Sequence, residues 1–86
     1  MFCVYFLKSI KNGKIYVGFT SKNIEVRVEE HNSGSNVFTK NNKPWVLVYY
    51  EIFSCEKCAR AREKFFKSGM GKRLKKIIVD NFNMRV

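Results

Sequence analysis

The residues whose types and spacing suit chemistry are Tyr5, Tyr16, Arg27, His31 and Glu63. Phenol and imidazole groups pass protons. A guanidinium is a planar fork that matches a phosphate or a carboxylate. A single carboxylate suits a hard cation such as Mg2+, which keeps several waters of its own. Arg27 and His31 stand four residues apart, so on a helix they are neighbours. Each residue also has a plainer reading. Tyrosines in a hairpin usually pack, and one histidine on an apolar face is more often a satisfied core residue. Arg27 can pair with Glu30 or Glu63, and Glu63 with Lys67 at i+4. The combination favours chemistry: two phenols on one hairpin face, then an arginine and a histidine from the next helix.

Those side chains depend on the elements around them. Cys3 to Ser9 reads as a strand rich in aromatic and branched residues. Asn12-Gly13 predicts a two-residue turn whose central positions both need positive φ, and Ile15 to Thr20 returns. In that register Ser9 faces Tyr16, Leu7 faces Gly18 and Tyr5 faces Thr20. Tyr5, Tyr16, Gly18 and Thr20 then share a face, and Gly18 leaves a hollow between the tyrosines. Ser21 or Asn23 caps the next helix. Its period sets Ile24, Arg27, Val28 and His31 on one face, with Glu25, Glu29 and Glu30 on the other.

Residues 32–43 are polar and read as a loop, with Thr39 and Lys40 as a phosphate contact, closed by Pro44. Val46 to Phe53 is a third strand, apolar enough to suggest burial on both faces. With Ser54 as N-cap, a second helix from Cys55 to Lys67 carries Cys55, Cys58, Ala59, Ala61, Phe65 and Phe66 on its apolar face. Gly69 and Gly71 break it. A last helix, Lys72 to Asn81, sets Leu74, Ile77 and Ile78 against Lys72, Arg73, Lys75 and Lys76. The order β-β-α-β-α-α predicts an α+β fold, a small three-stranded antiparallel sheet flanked by helices. The third strand can pair with either hairpin strand, which leaves the order within the sheet open.

The 86 residues suit one small domain over 1–86. The 17 basic residues against 7 acidic ones leave a net charge of +10. That imbalance points to a polyanion, nucleic acid first, then an anionic membrane surface or an acidic protein. No apolar run is long enough to span a bilayer, and nothing has the pattern of a signal peptide. Three cysteines cannot all pair, so a reducing, cytoplasmic setting is expected. Cys55 and Cys58 have the spacing of half a zinc site that His31 or Cys3 would complete. Without a second cysteine pair, packing on the apolar face is the preferred reading. Gly69-Met70-Gly71-Lys72 lacks the spacing of a phosphate-binding loop.

Cys3-Val4-Tyr5, then Tyr16-Val17-Gly18, then Arg27, His31 and Glu63, resembles the GIY-YIG endonuclease superfamily over nearly the whole chain. Thr39-Lys40, Pro44-Trp45 and Tyr49-Tyr50-Glu51 are similar to its small stand-alone bacterial members. Cys3-Val4 departs from the family's Gly-Ile, and Val17 from its Ile. The resemblance implies a metal-dependent DNA endonuclease acting in repair or recombination. An activated water would attack the phosphodiester, with one divalent cation, Mg2+ or Mn2+, as cofactor. It makes Glu63 the metal ligand and Arg27 the group that neutralises charge on the phosphate. Tyr5 or Tyr16 would orient or deprotonate the water, and His31 would hydrogen-bond a tyrosine or relay its proton. An unperturbed phenol, with a pKa of about 10, is a poor base, so Arg27 and a cation are expected to lower it. Thr39, Lys40, Lys72, Arg73, Lys75 and Lys76 would contact the DNA. The family's late asparagine stays unassigned between Asn81 and Asn83. Branched and single-stranded DNA are both open as substrates, and a partner protein or a homodimer could supply specificity. The alternative is a nucleic-acid-binding module with little or no catalysis. A third reading is a protein-interaction domain whose charge is incidental.

Overall fold

A computed structural model of the chain describes residues 1–34 and 36–84, with side chains described through residue 81. Strand β1 (Phe2–Ser9) lies between β2 (Ile15–Thr20) and β3 (Trp45–Phe53), and both pairings are antiparallel. The third strand therefore joins β1, not β2. As the central strand, β1 buries an unbroken run from Cys3 to Leu7, which explains its dense apolar sequence. Cys3, Tyr5 and Leu7 pack on one face with Trp45, and Val4 and Phe6 pack on the other with Val17, Val48, Ala59, Phe66 and Val79.

The hairpin closes two residues earlier on the first strand than the sequence suggested. Tyr5 pairs with Gly18, Leu7 with Tyr16 and Cys3 with Thr20. Gly13 has φ 75°, while no residue other than glycine takes positive φ among the described residues. Asn12 therefore cannot serve as the first centre of the two-residue turn. Instead, the Ser9 and Lys14 backbones bond at 2.8 Å across a four-residue loop. The Ser9 hydroxyl stabilises that loop by accepting from Asn12 N and donating to the Asn42 carbonyl. A slip of two residues preserves the face of every side chain, so Tyr5, Tyr16, Gly18 and Thr20 still share one side.

β3 is an edge strand, and its apolar run does not mean burial on both faces: Tyr50 and Ile52 are exposed. A bulge at Val48, where Phe6 faces Tyr49 and Leu7 faces Leu47, keeps both halves of the strand in register with the two layers.

Helix α1 (Ile24–Ser33) lies over the Tyr5 face. Of the two candidates, Asn23 is its cap, accepting from Glu25 N and Val26 N. Gly34 ends it at φ 93°. Residues 32–43 are not all loop. Helix α2 (Val37–Asn41) forms there because the Asn36 side chain accepts from Phe38 N and Thr39 N.

Helices α3 (Glu56–Phe66) and α4 (Gly69–Met84) cover the Phe6 face. Cys55, not Ser54, caps α3. The buried stripe of α3 is Ala59 and Phe66, with Arg62, Glu63 and Phe65 half-buried, while Cys55, Cys58 and Ala61 are exposed. Arg62 belongs to the packing because it bonds the half-buried Glu51 at 2.8 Å and lies over the Phe66 ring. The two thiols are therefore not core residues. Gly69 and Gly71 lie inside α4 rather than ending α3. Gly71 is needed for contact: a methyl there would sit 1.7 Å from the Phe65 carbonyl oxygen. Within α4, Val79 is buried and Ile77 is exposed, so the apolar stripe includes Val79 in place of Ile77. No described helix is long and apolar enough to cross a membrane.

Candidate active site

Tyr5, His31 and Thr39 form a buried chain of hydrogen bonds. The Tyr5 hydroxyl lies 2.8 Å from His31 Nε2, and His31 Nδ1 lies 3.0 Å from Thr39 Oγ1. The Thr39 hydroxyl donates its one proton to the Asn36 carbonyl at 3.1 Å. Thr39 Oγ1 must then accept from His31 Nδ1–H, which leaves Nε2 to accept from Tyr5. His31 is thus the neutral Nδ1–H tautomer. Burial, and after it the charge of Arg27, pushes its pKa down to about 4, against an opposing effect of Glu30.

Tyr5 is fully buried. Its ring tip lies over Gly18, where an added methyl would meet the Tyr5 Cζ and hydroxyl at 2.4 Å. The expected hollow at Gly18 is therefore filled by Tyr5 itself. Burial pushes the Tyr5 phenol up to about 12. Arg27 acts in the expected direction, through a hydrogen bond and its charge, but burial outweighs it, and Tyr16 and Glu63 add to the rise. The expected depression of this phenol is not found in the free protein.

Arg27 reaches Tyr5 from the neighbouring face of α1 and bonds Glu30 Oε1 at 2.8 Å. Burial opposes the Arg27 charge, yet Glu30 and Tyr5 hold the group more firmly protonated than usual. Glu30 also takes Lys22 at 2.6 Å, and these two cations draw its carboxyl below the ordinary range. Glu30 thus bends toward Arg27 instead of facing solvent with Glu25 and Glu29.

Tyr16 is partly exposed. It packs by its ring against His31 at 5.0 Å, Phe38 at 6.0 Å and Trp45 at 6.2 Å. A cavity of about 310 Å3 runs along the outer edge of β2, lined by Ile15, Tyr16, Val17, Phe38, Lys67 and Lys75. Lys67 reaches it from beyond the end of α3, so the two layers of the sheet meet at this edge. Glu63 lies on the same flank, bonded to Lys67 at 3.0 Å and near enough for its charge to bear on Tyr5.

Tyr5, Tyr16, Arg27 and His31 therefore come together, and Glu63 approaches them from the opposite layer. Thr39 does not face a phosphate. It is buried, and its hydroxyl orients His31. Lys40, Lys72, Arg73 and Lys76 are exposed, while Lys75 is half-buried, and burial and then Lys72 push its pKa down. Asn81 is exposed; the Asn83 side chain lies outside the described residues. Of the two partners expected for Arg27, Glu30 is the one that holds it; residues not foreseen are Asn36, which takes the Thr39 proton, and Trp45, whose indole donates to the Thr39 carbonyl at 2.8 Å. Asn36 had a signal in its cap spacing; Trp45 needed the fold.

The donor set suits a cation of one kind. Among the described residues no group of three His, Cys, Asp or Glu could hold a metal, which disfavours zinc at Cys55 and Cys58. Glu30 is held by Arg27 and Lys22, and Glu63 is the carboxylate on the Tyr16 flank that could offer hard oxygen to Mg2+, with waters and phosphate oxygens to complete its shell.

A family model for the GIY-YIG catalytic domain matches residues 1–76. A UPF0213 protein of Staphylococcus haemolyticus is 41% identical over 66 residues, covering 76% of this chain and 78% of its own. One from Clostridium perfringens is 38% identical over 65 residues, covering 74% and 68%. One from Bacillus licheniformis is 36% identical over 64 residues, covering 73% and 65%. No solved structure matches the chain. With the family model matching residues 1–76 and relatives of 36–41% identity, the chain belongs to the GIY-YIG family.

Proposed function

We propose that the protein is a metal-dependent DNA endonuclease in which Tyr5, backed by His31, deprotonates the attacking water. The observation that carries this is the Tyr5–His31–Thr39 chain, which places a neutral imidazole behind the phenol. Tyr5 would take a proton from water as it passes its own to His31 Nε2, and the hydroxide would attack phosphorus. The phenol then never has to stand as a phenolate, which burial disfavours. Arg27 controls access and basicity together. It is hydrogen-bonded to Tyr5 in the free protein, and its charge lowers the basicity of His31. A phosphate that draws Arg27 away from Glu30 would release the phenol and relieve that penalty. Arg27 would then stabilise charge developing on the phosphate. Glu63 would hold Mg2+ or Mn2+, releasing Lys67, and the bound cation would supply Lewis-acid stabilisation of the phosphate and leaving oxygens. Exposed Lys72, Arg73 and Lys76 would hold the flanking DNA backbone.

The test is nicking of supercoiled plasmid with Mg2+ or Mn2+. Glu63→Gln, Arg27→Ala and Tyr5→Phe should each lower the rate by about 100-fold or more while the protein stays folded. Variants that cut as well as the parent would overturn the assignment. One observation favours the competing reading of a binding module: Glu63 already has a cationic partner in Lys67. Salt-sensitive DNA binding with no cleavage under either cation would favour it.

A further inference from the structure

Cys55 and Cys58, which the phosphodiester site does not use, have a geometry of their own. Cys55 caps α3, and its sulfur accepts from the Cys58 backbone N–H at 3.4 Å. The N-cap and the third helical position face each other across the first turn. Both thiols are exposed. A sulfur here meets the unpaired N–H groups and the positive end of the helix dipole, which favour thiolate over thiol. The Cys55 thiol is pulled down, first by the Cys58 side chain and then by the backbone N–H groups of Cys58 and Lys57, against burial and the Glu56 charge. Cys58 is pushed up, first by Cys55. The two sulfurs differ as an attacking and a resolving thiol should. Cys3, by contrast, is buried, and burial pushes its thiol up.

We propose that Cys55 and Cys58 form a reversible dithiol–disulfide site for low-molecular-weight disulfides, with Cys55 attacking and Cys58 resolving. The Cys55 thiolate attacks one sulfur of the external disulfide. A bond forms to that half, and the other half leaves as a thiolate. Cys58 then loses its proton to solvent and attacks the Cys55 sulfur, which breaks the mixed disulfide and releases the second half. Two protein thiols are oxidised and one external disulfide is reduced to two thiols. The site is independent of the nuclease reading: Cys55 precedes Glu63 by about two turns of the same helix, and neither sulfur bonds any residue of the Tyr5 network.

The folded protein is equilibrated in glutathione buffers of graded oxidised-to-reduced ratio, quenched with acid, alkylated and mapped by mass spectrometry. A Cys55–Cys58 disulfide should form and reverse with the ratio while Cys3 stays reduced. Cys58→Ser should stop with one glutathione on Cys55. Cys55→Ser should react at Cys58 roughly tenfold more slowly or worse; serine keeps the cap, so α3 survives. Separate glutathione adducts on both cysteines of the parent with no internal bridge, or equal rates in the two variants, would overturn the proposal.

Discussion

At the scale of single residues, His31 has its protonation decided by the fold. It is buried between a phenol that donates to it and a hydroxyl that accepts from it, and its pKa falls to about 4 from the ordinary 6.5. Above the ordinary value both folded and unfolded chains hold a neutral imidazole. As pH falls from there toward 4, the unfolded chain takes the proton first and gains stability. The folded protein should therefore lose on the order of 3 kcal/mol across that window. Urea midpoints from about pH 7 to about pH 4 should show that slope in the parent. His31→Gln cannot titrate and should flatten it; an unchanged slope in the variant would assign the effect elsewhere. Thr39 shows the limit of reading one residue at a time. Its type and loop setting suited a phosphate contact, but the Asn36 cap folded that loop into α2 and turned the hydroxyl inward to His31.

At the scale of elements, two glycines mark close contacts, Gly18 under a ring from the neighbouring strand and Gly71 against α3, and they should fail differently. At Gly18 the obstacle to a methyl is the ring tip of Tyr5. Gly18→Ala should displace that ring and break its bond to His31, abolishing nicking at a stability cost of about 1–3 kcal/mol. At Gly71 the obstacle is backbone, the Phe65 carbonyl at 1.7 Å and the Phe66 Cα at 2.7 Å. No rotamer change relieves it, so Gly71→Ala should lower the Tm further than Gly18→Ala. Thermal melts of both variants compare them directly, and a larger loss at Gly18 would contradict the packing. The same corner holds a misplaced boundary: the break falls at Lys67–Ser68 as α3 ends, and the last helix begins at Gly69 instead of Lys72, so both glycines lie within α4.

For the whole molecule, charge distribution matters more than the total. Glu30, Glu51, Glu56, Glu63 and Asp80 are each paired with a lysine or arginine inside the chain, while Lys72 and Arg73 on α4 are exposed. If DNA lies along α4, each phosphate contact removed should reduce the slope of log affinity against log salt by about 0.9. Fluorescence anisotropy of a labelled duplex across a salt series should show Lys72→Gln with Arg73→Gln weakening binding and flattening that slope. Equal slopes would place the DNA elsewhere. This measurement does not depend on cleavage, so it separates where the strand lies from what is done to it.

Local periodicity by itself determined which faces the functional residues occupy. The strand period placed Tyr5 and Tyr16 together whichever register the hairpin took, because a slip by two preserves faces. The helical period placed Arg27 beside His31 in the same way. Tertiary contact alone decided what those residues meet. Burial of Tyr5 and His31, the turning inward of Thr39, the exposure of Cys55 and Cys58 and the approach of Glu63 from the opposite layer are properties of packed surfaces. They depend on distances between segments far apart in the chain, and a repeat of two or of 3.6 residues carries no information about such distances.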